Sequence, residues 1–138
     1  MKQDLIKELY TKYPDMFRIS KDHEGFIRPA KILCDDGWYD IVDQLCWTIS
    51  HYVDYKNNYT NEPVSPVVFS LIREKIGGLR VYWSGGDLYV RGVIDMACNM
   101  STKVCEISGR PGDLYAKNGW YKSVAHDMYE ELGFQKDE

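Results

Sequence analysis

No apolar run in this chain approaches the ~20 residues of a membrane-spanning helix, and the N-terminus lacks the apolar core of a secretory signal. The expectation is a protein that engages no membrane and works in the cytoplasm. Four cysteines (Cys34, Cys46, Cys98 and Cys105) are then expected as reduced thiols, most of them small buried hydrophobes, and not as two disulfides. Catalytic signatures are missing too. His23, His51 and His126 are widely spaced and form no HExxH pair. Gly77-Gly78 and Gly85-Gly86 have neither the spacing nor the Lys-Ser/Thr ending of a phosphate loop, and no cysteine carries a thiol-protease signature. These absences argue against an enzyme. Without repeats, low-complexity runs or an interdomain linker, residues 1–138 read as one domain.

What is present suits binding. Hydrophobic residues make up 44% of 138, enough for a real core, and aromatic residues 14%, with 11 Tyr and 4 Trp. Such residues serve cores, but Tyr and Trp also dominate binding surfaces. The formal net charge of −4 conceals a gradient along the chain. Residues 1–70 carry 8 Lys/Arg against 11 Asp/Glu, residues 71–122 carry 8 against 5, and residues 123–138 carry 1 against 5. A basic middle between acidic ends could face a phosphate-bearing ligand; scattered solvated lysines are the plainer explanation.

Hydrophobic periodicity predicts about five helices and a small antiparallel sheet, an α+β fold. Leu5, Ile6, Leu9, Tyr10 and Tyr13 fall at helical spacing before Pro14. Residues 15–36 read as a loop with at most a short strand around Gly25–Ile27. A second helix starts at Asp36 or Gly37, with Trp38, Ile41, Val42, Leu45, Cys46, Ile49 and Val53 as its apolar stripe. Asn57–Pro66 reads as an exposed connection, and Pro66 as the first turn of a third helix ended by Gly77 or Gly78. Leu79–Trp83 alternates as a strand, and Tyr89 to about Thr102 as a fourth helix with Val90, Val93, Ile94, Ala97 and Met100 inward. Val104–Ile107, Leu114–Ala116 and Trp120–Val124 read as strands around an Asn118-Gly119 hairpin turn, followed by a last helix over Ala125–Leu132.

The segment Cys105-Glu106-Ile107-Ser108-Gly109-Arg110-Pro111-Gly112 has the rhythm of a zinc-ribbon knuckle, with residues 100–132 as a ribbon-like subregion. A Cys₄ or Cys₃His site needs a second ligand three residues after Cys105, and that position holds Ser108, a poor zinc ligand. Cys98, Cys105 and His126 form an alternative zinc set, dependent on tertiary geometry. Packing alone could equally hold the ribbon, so no cofactor is required.

Candidate contact residues fall in four groups. Asp36, Asp40 and Asp43, at i, i+4 and i+7, share a helix face that could hold a divalent cation or meet a basic partner; helix-dipole complementarity is the plainer explanation. Tyr55 lies in the polar, aromatic segment Tyr52–Tyr59, a candidate protein-contact surface. Arg80, Tyr82 and Arg91 flank the Gly85-Gly86 turn beside Trp83 and Tyr89, a combination that suits stacking and charge pairing with a nucleotide or nucleic acid. Against that, Trp83 could be core and Arg80 could pair with Asp87 or Asp95. Lys103, Arg110, Lys117 and Lys122 give the ribbon-like segment a route to nucleic acid, although an acidic chain is an uncommon nucleic-acid binder.

Three blocks carry a resemblance. Asp35-Asp36-Gly37-Trp38-Tyr39-Asp40-Ile41-Val42-Asp43-Gln44-Leu45-Cys46 resembles a GDGWYxLIDxLC block, Lys75–Tyr82 a KFGxLRFY block, and Met100–Gly112 an MSxxxCExCGxPG knuckle, all of small uncharacterised phage and prophage proteins. Relatives of that type place a second Cys where Ser108 stands, and a Cys and His where Ala125 and Met128 stand. The resemblance implies a phage accessory protein acting in the host cytoplasm by protein–protein contact. An anti-CRISPR-type inhibitor of a nucleic-acid-binding host defence effector is the leading expectation. Sequestration of a nucleotide signal and direct nucleic-acid binding are the alternatives.

Overall fold

The first helix forms where the sequence places it. In the computed structural model, which describes residues 1–19 and 29–136, α1 spans Gln3–Lys12 and buries Ile6 and Leu9. It ends at Tyr13, because a residue preceding proline is disfavoured in helical geometry. The strand expected around Gly25–Ile27 lies outside the described residues.

A second, longer helix organises the core. A 3₁₀ turn over Asp36–Trp38 leads into α2, Tyr39–Tyr59, whose Val42, Leu45, Cys46 and Ile49 face inward at helical spacing. Thr60 stops it, with its hydroxyl donating back to the Lys56 carbonyl at 2.6 Å. The Asn57 side chain then pins the exit, accepting from the Val64 amide at 2.7 Å and donating to the Val64 carbonyl at 3.2 Å.

The next segment overturns an expectation. Residues 66–76 are not a helix: β2 runs Val68–Lys75 and pairs antiparallel with β3, Gly78–Ser84. The two join through Ile76-Gly77, both at positive φ (52° and 77°), as a tight hairpin turn demands. What looked like a helix cap is that turn. Phe69 and Ile72 face the core, and a register shift between Phe69 and Leu71 marks a bulge. A short strand that the sequence left in a loop, β1 (Lys31–Leu33), pairs parallel with β2. The sheet order is β1-β2-β3, with α2 forming the crossover between its parallel strands.

On the other side of β3, α3 (Leu88–Ser101) lies along the open strand edge. The Ser101 hydroxyl accepts the Leu79 amide at 2.8 Å and donates to the Cys98 carbonyl at 2.6 Å, satisfying an edge amide that has no strand partner.

A second sheet of order β5-β4-β6 holds β4 (Gly112–Lys117), β5 (Trp120–Ala125) and β6 (Gln135–Lys136), all antiparallel. Asn118 and Gly119 form its hairpin turn at φ 50° and 82°, as expected. The expected strand over 104–107 reduces to one bridge between Val104 and Pro111, and of the expected helix over 125–132, Ala125 ends β5 and 126–132 is a run of turns. The class is α+β, with three α-helices among the described residues and not about five, and two three-stranded sheets in place of one. The zinc-ribbon expectation is corrected as well. Its helix does not form, and among the described residues no three His, Cys, Asp or Glu side chains are placed to hold a metal ion.

Backbone contact welds the knuckle to the start of α2. The Gly37 amide donates to the Glu106 carbonyl at 2.7 Å, and the fully buried Trp38 donates its indole N–H to the Val104 carbonyl at 2.9 Å. A Cβ on Gly37 would overlap the Cys105 carbonyl oxygen and lie 2.6 Å from the Glu106 carbonyl carbon. Gly92, inside α3, is the opposite case: a Cβ there meets nothing within 4 Å. Gly37→Ala should therefore lower thermal stability by about 1–3 kcal/mol through overpacking. Gly92→Ala should raise it by about 0.5–1 kcal/mol through helix propensity. Melting curves of the two variants check both signs.

Candidate functional site

Helices α2 and α3 spend their inward faces on the core and leave an apolar outward surface. Trp47, Tyr55 and Tyr59 project from α2, and Leu88, Tyr89, Met96 and Met100 from α3. Leu88 is 84% exposed and Met96 62%, values that a core role would not leave. Between the helices runs a shallow groove with Ile41, Gln44 and Thr48 on one wall and Val93, Met96 and Met100 on the other. Sequence periodicity expected Met100 inward; it lies at the helix end where α3 passes the sheet edge, and it is half exposed.

Several of these side chains are held by one another. Trp47 stacks on His51 with ring centroids 3.9 Å apart, and Tyr52 stacks on Tyr89 at 4.0 Å. Tyr55 and Tyr59 stack more loosely at 6.3 Å. Asp87 anchors the Tyr52–Tyr89 pair. One carboxylate oxygen accepts the Tyr52 hydroxyl at 2.5 Å, and the other caps α3 by accepting the Val90 amide at 3.1 Å. The hydrogen bond to Asp87 is the main cause pushing the Tyr52 phenol up to about 12, and it also holds the Asp87 carboxyl below its ordinary range. Rigid aromatic rings flanked by adaptable methionine suit a docking surface.

The acidic group expected to meet a partner is divided by the fold. Asp36 accepts the Lys2 amide at 2.7 Å, and Asp43 takes Lys12 at 3.1 Å and the Tyr13 hydroxyl at 3.0 Å. Burial and then Asp43 push the Tyr13 phenol up to about 12, and the Asp43 hydrogen bond holds Lys12 above its usual range. Asp36 ties the start of α1 to the 3₁₀ turn, and Asp43 ties the end of α1 to α2. Asp40 is exposed on the groove wall, and Tyr55 stands on the outward ridge.

Arg80 and Tyr82 do project outward from β3, as their alternation predicts, with Val81 inward and Trp83 half-buried against the core. Arg80 makes neither expected ion pair among the described residues; its guanidinium donates to the neighbouring Leu79 carbonyl at 3.1 Å, and Asp87 is engaged as a cap. Strand register sets Arg73 opposite Arg80 and Leu71 opposite Tyr82, whereas Arg91 belongs to α3.

Cys98, Cys105 and His126 are not assembled. Cys98 is half-buried beside β3, and burial raises its thiol. His126 is exposed, with Nδ1 3.0 Å from the Tyr115 hydroxyl. Cys105 is fully buried in the knuckle, where its sulfur accepts the Ser108 amide at 3.4 Å. Burial works to raise this thiol, but the Ser108 hydroxyl and the amides of Ser108, Ala125 and Ile107 outweigh it and bring it below its ordinary value. Ser108 and Ala125 bring no ligating nitrogen or sulfur side chain beside Cys105.

No helix among the described residues is long and apolar enough to cross a membrane. Because the Asp87 carboxyl is depressed, its contribution is present above its ordinary value and is lost as pH falls through the folded value, below about pH 4. Asp87→Ala should cost about 1 kcal/mol near neutral pH through the lost cap, with the gap to wild type closing below about pH 4. Thermal melts across pH 3–7 measure it. Compared with known proteins, the chain matches no protein-family model, no curated protein and no solved structure.

Proposed function

We propose that this protein acts by binding a protein partner through the outward face of α2 and α3, as a phage accessory inhibitor of a host defence effector that handles nucleic acid. The observation that carries the reading is the set of exposed aromatic and methionine side chains on the outward faces of α2 and α3, Trp47, Tyr55, Tyr89 and Met96, with Trp47 stacked on His51 and Tyr89 on Tyr52. Interface cores are enriched in these residue types, and rigid rings lose little entropy on docking. Asp40 on the groove wall adds negative charge where a nucleic-acid-handling partner would present a basic surface. The resemblance of three sequence blocks to phage and prophage proteins suggests the biological setting, and an anti-CRISPR role is its most specific form.

The test expresses the protein in bacteria with an active CRISPR defence and measures plaquing of a targeted phage together with co-purification of the effector. Wild type should restore plaquing and carry the effector stoichiometrically. Trp47→Ala and Met96→Lys should each weaken the complex at least tenfold while the fold, with both positions exposed, changes by no more than about 0.5 kcal/mol. Unrestored plaquing with a bound nucleotide and no protein would overturn the inhibitor reading in favour of sequestration.

A further inference from the structure

The β1-β2-β3 sheet has two chemically opposite faces. Ile32, Phe69, Ile72, Leu79 and Val81 point inward and join the core with α1 and α2. The outer face follows from the same register. One row across the strands reads Lys31–Leu71–Tyr82, the next Leu33–Arg73–Arg80, and β2 and β3 continue it with Lys75–Gly78. Lys31, Leu33, Arg73, Lys75, Arg80 and Tyr82 are all exposed, and Leu71 is half-buried. Four cations, one tyrosine and two leucines thus share a face on which the described strands place no carboxylate, in a chain of net charge −4. The one acidic residue of these strands, Glu74, belongs to the other face and accepts the Gly77 amide at 2.8 Å.

We propose that this outer face binds single-stranded nucleic acid. The charge is of one sign and concentrated, so a polyanion is drawn to this face and repelled by the acidic remainder of the molecule. The two arginines are oriented along the surface: Arg73 spends Nε on the Glu74 carbonyl at 3.1 Å and Arg80 spends Nη1 on the Leu79 carbonyl at 3.1 Å. Each keeps its remaining N–H donors for phosphate oxygens. Tyr82 offers a ring for stacking a base, and its strand is steadied where Ser70 Oγ donates to the Tyr82 carbonyl at 3.2 Å. Leu33 and Leu71 give apolar floor between the cations.

Shape selects a single strand over a duplex. Three strands about 4.8 Å apart make a platform only about 10 Å wide, and among the described residues no helix lies on this face to enter a groove. Unstacked bases can lie on such a platform with their phosphates at its cationic rows. This binding uses the side of the sheet facing away from α2 and is independent of the α2–α3 docking surface.

The experiment titrates full-length protein into fluorescein-labelled 12-nucleotide oligo(dT) and oligo(rU), and into a 12-base-pair duplex, reading anisotropy across a salt series with polyglutamate as competitor. Single strands should bind more tightly than the duplex. The slope of log K against log salt should be about −2 to −3, at roughly −0.7 per phosphate contacted. Arg73→Gln/Arg80→Gln should weaken binding at least tenfold and make the slope shallower by about 1.4. Tyr82→Leu should weaken binding about fivefold or more without changing the slope. Lys31→Gln/Lys75→Gln provides a second charge pair should the arginine variant fold poorly. Lys7→Gln, exposed on α1 beyond the inner face of the sheet, should leave binding unchanged. Absence of binding at low salt, equal binding of the duplex, or undiminished binding by both charge-pair variants would overturn the proposal. Displacement by polyglutamate with no effect of Tyr82→Leu would assign the face to an acidic protein instead.

Discussion

Glu106 is buried to 3% exposure at the junction between the knuckle and the first turn of α2, and much of the fold depends on how its charge is met. One oxygen accepts the Asp35 amide at 3.0 Å and the other takes Lys122 at 2.8 Å, while its own carbonyl receives the Gly37 amide. Burial works to lower the Lys122 ammonium, but Glu106 and Asp35 outweigh it and hold it above its usual value. A buried pair of this kind adds little net stability over an apolar alternative, yet loss of one partner leaves an uncompensated charge. Its main consequence is positional. Three chain segments remote in sequence must converge, and Gly37 is the residue that lets the backbones touch.

From that junction the rest of the architecture follows. With Trp38 fixed under the knuckle, α2 has a defined start and a defined rotation about its axis. Its inward stripe then packs on the first sheet, and the Ser123 hydroxyl ties β5 to the β2–β3 turn through the Gly77 carbonyl at 2.6 Å. The same rotation decides which side chains remain outside. Trp47, Tyr55 and Tyr59 are left on the ridge because Val42, Leu45, Cys46 and Ile49 fill the core. The surplus of aromatic residues noted in the composition is thus partly an exposed surface, and partly core, with Trp38 and Tyr115 buried.

Strongly periodic elements were legible in the sequence: α1, α2, α3, β3 and the β4–β5 hairpin. Those whose character depends on a neighbour were not. Val68–Lys75 reads as a helix between Pro66 and Gly77 when taken alone, because a short apolar run carries no decisive period. Its strand identity comes from pairing on both sides, with β1 and with β3. Lys31–Leu33 is too short to declare itself, and Ala125–Leu132 lost its helix to a chain of tight turns. Misreading β2 also hid Arg73 and Lys75, which join Arg80 and Tyr82 only through strand register. The acidic trio shows the converse: Asp36 stands in the 3₁₀ turn ahead of α2, Asp40 on the groove toward α3, and Asp43 toward α1, where Lys2 and Lys12 convert Asp36 and Asp43 into internal ties.

By itself the sequence determined the class of fold, the three periodic helices and the hairpin turn at Asn118-Gly119, because each is a local property of residue type and spacing. Tertiary structure alone decided which charges are spent within the molecule and which face outward. A carboxylate or guanidinium carries the same chemistry wherever it stands in the chain, but only the packing of distant elements brings it a partner or leaves it in solvent.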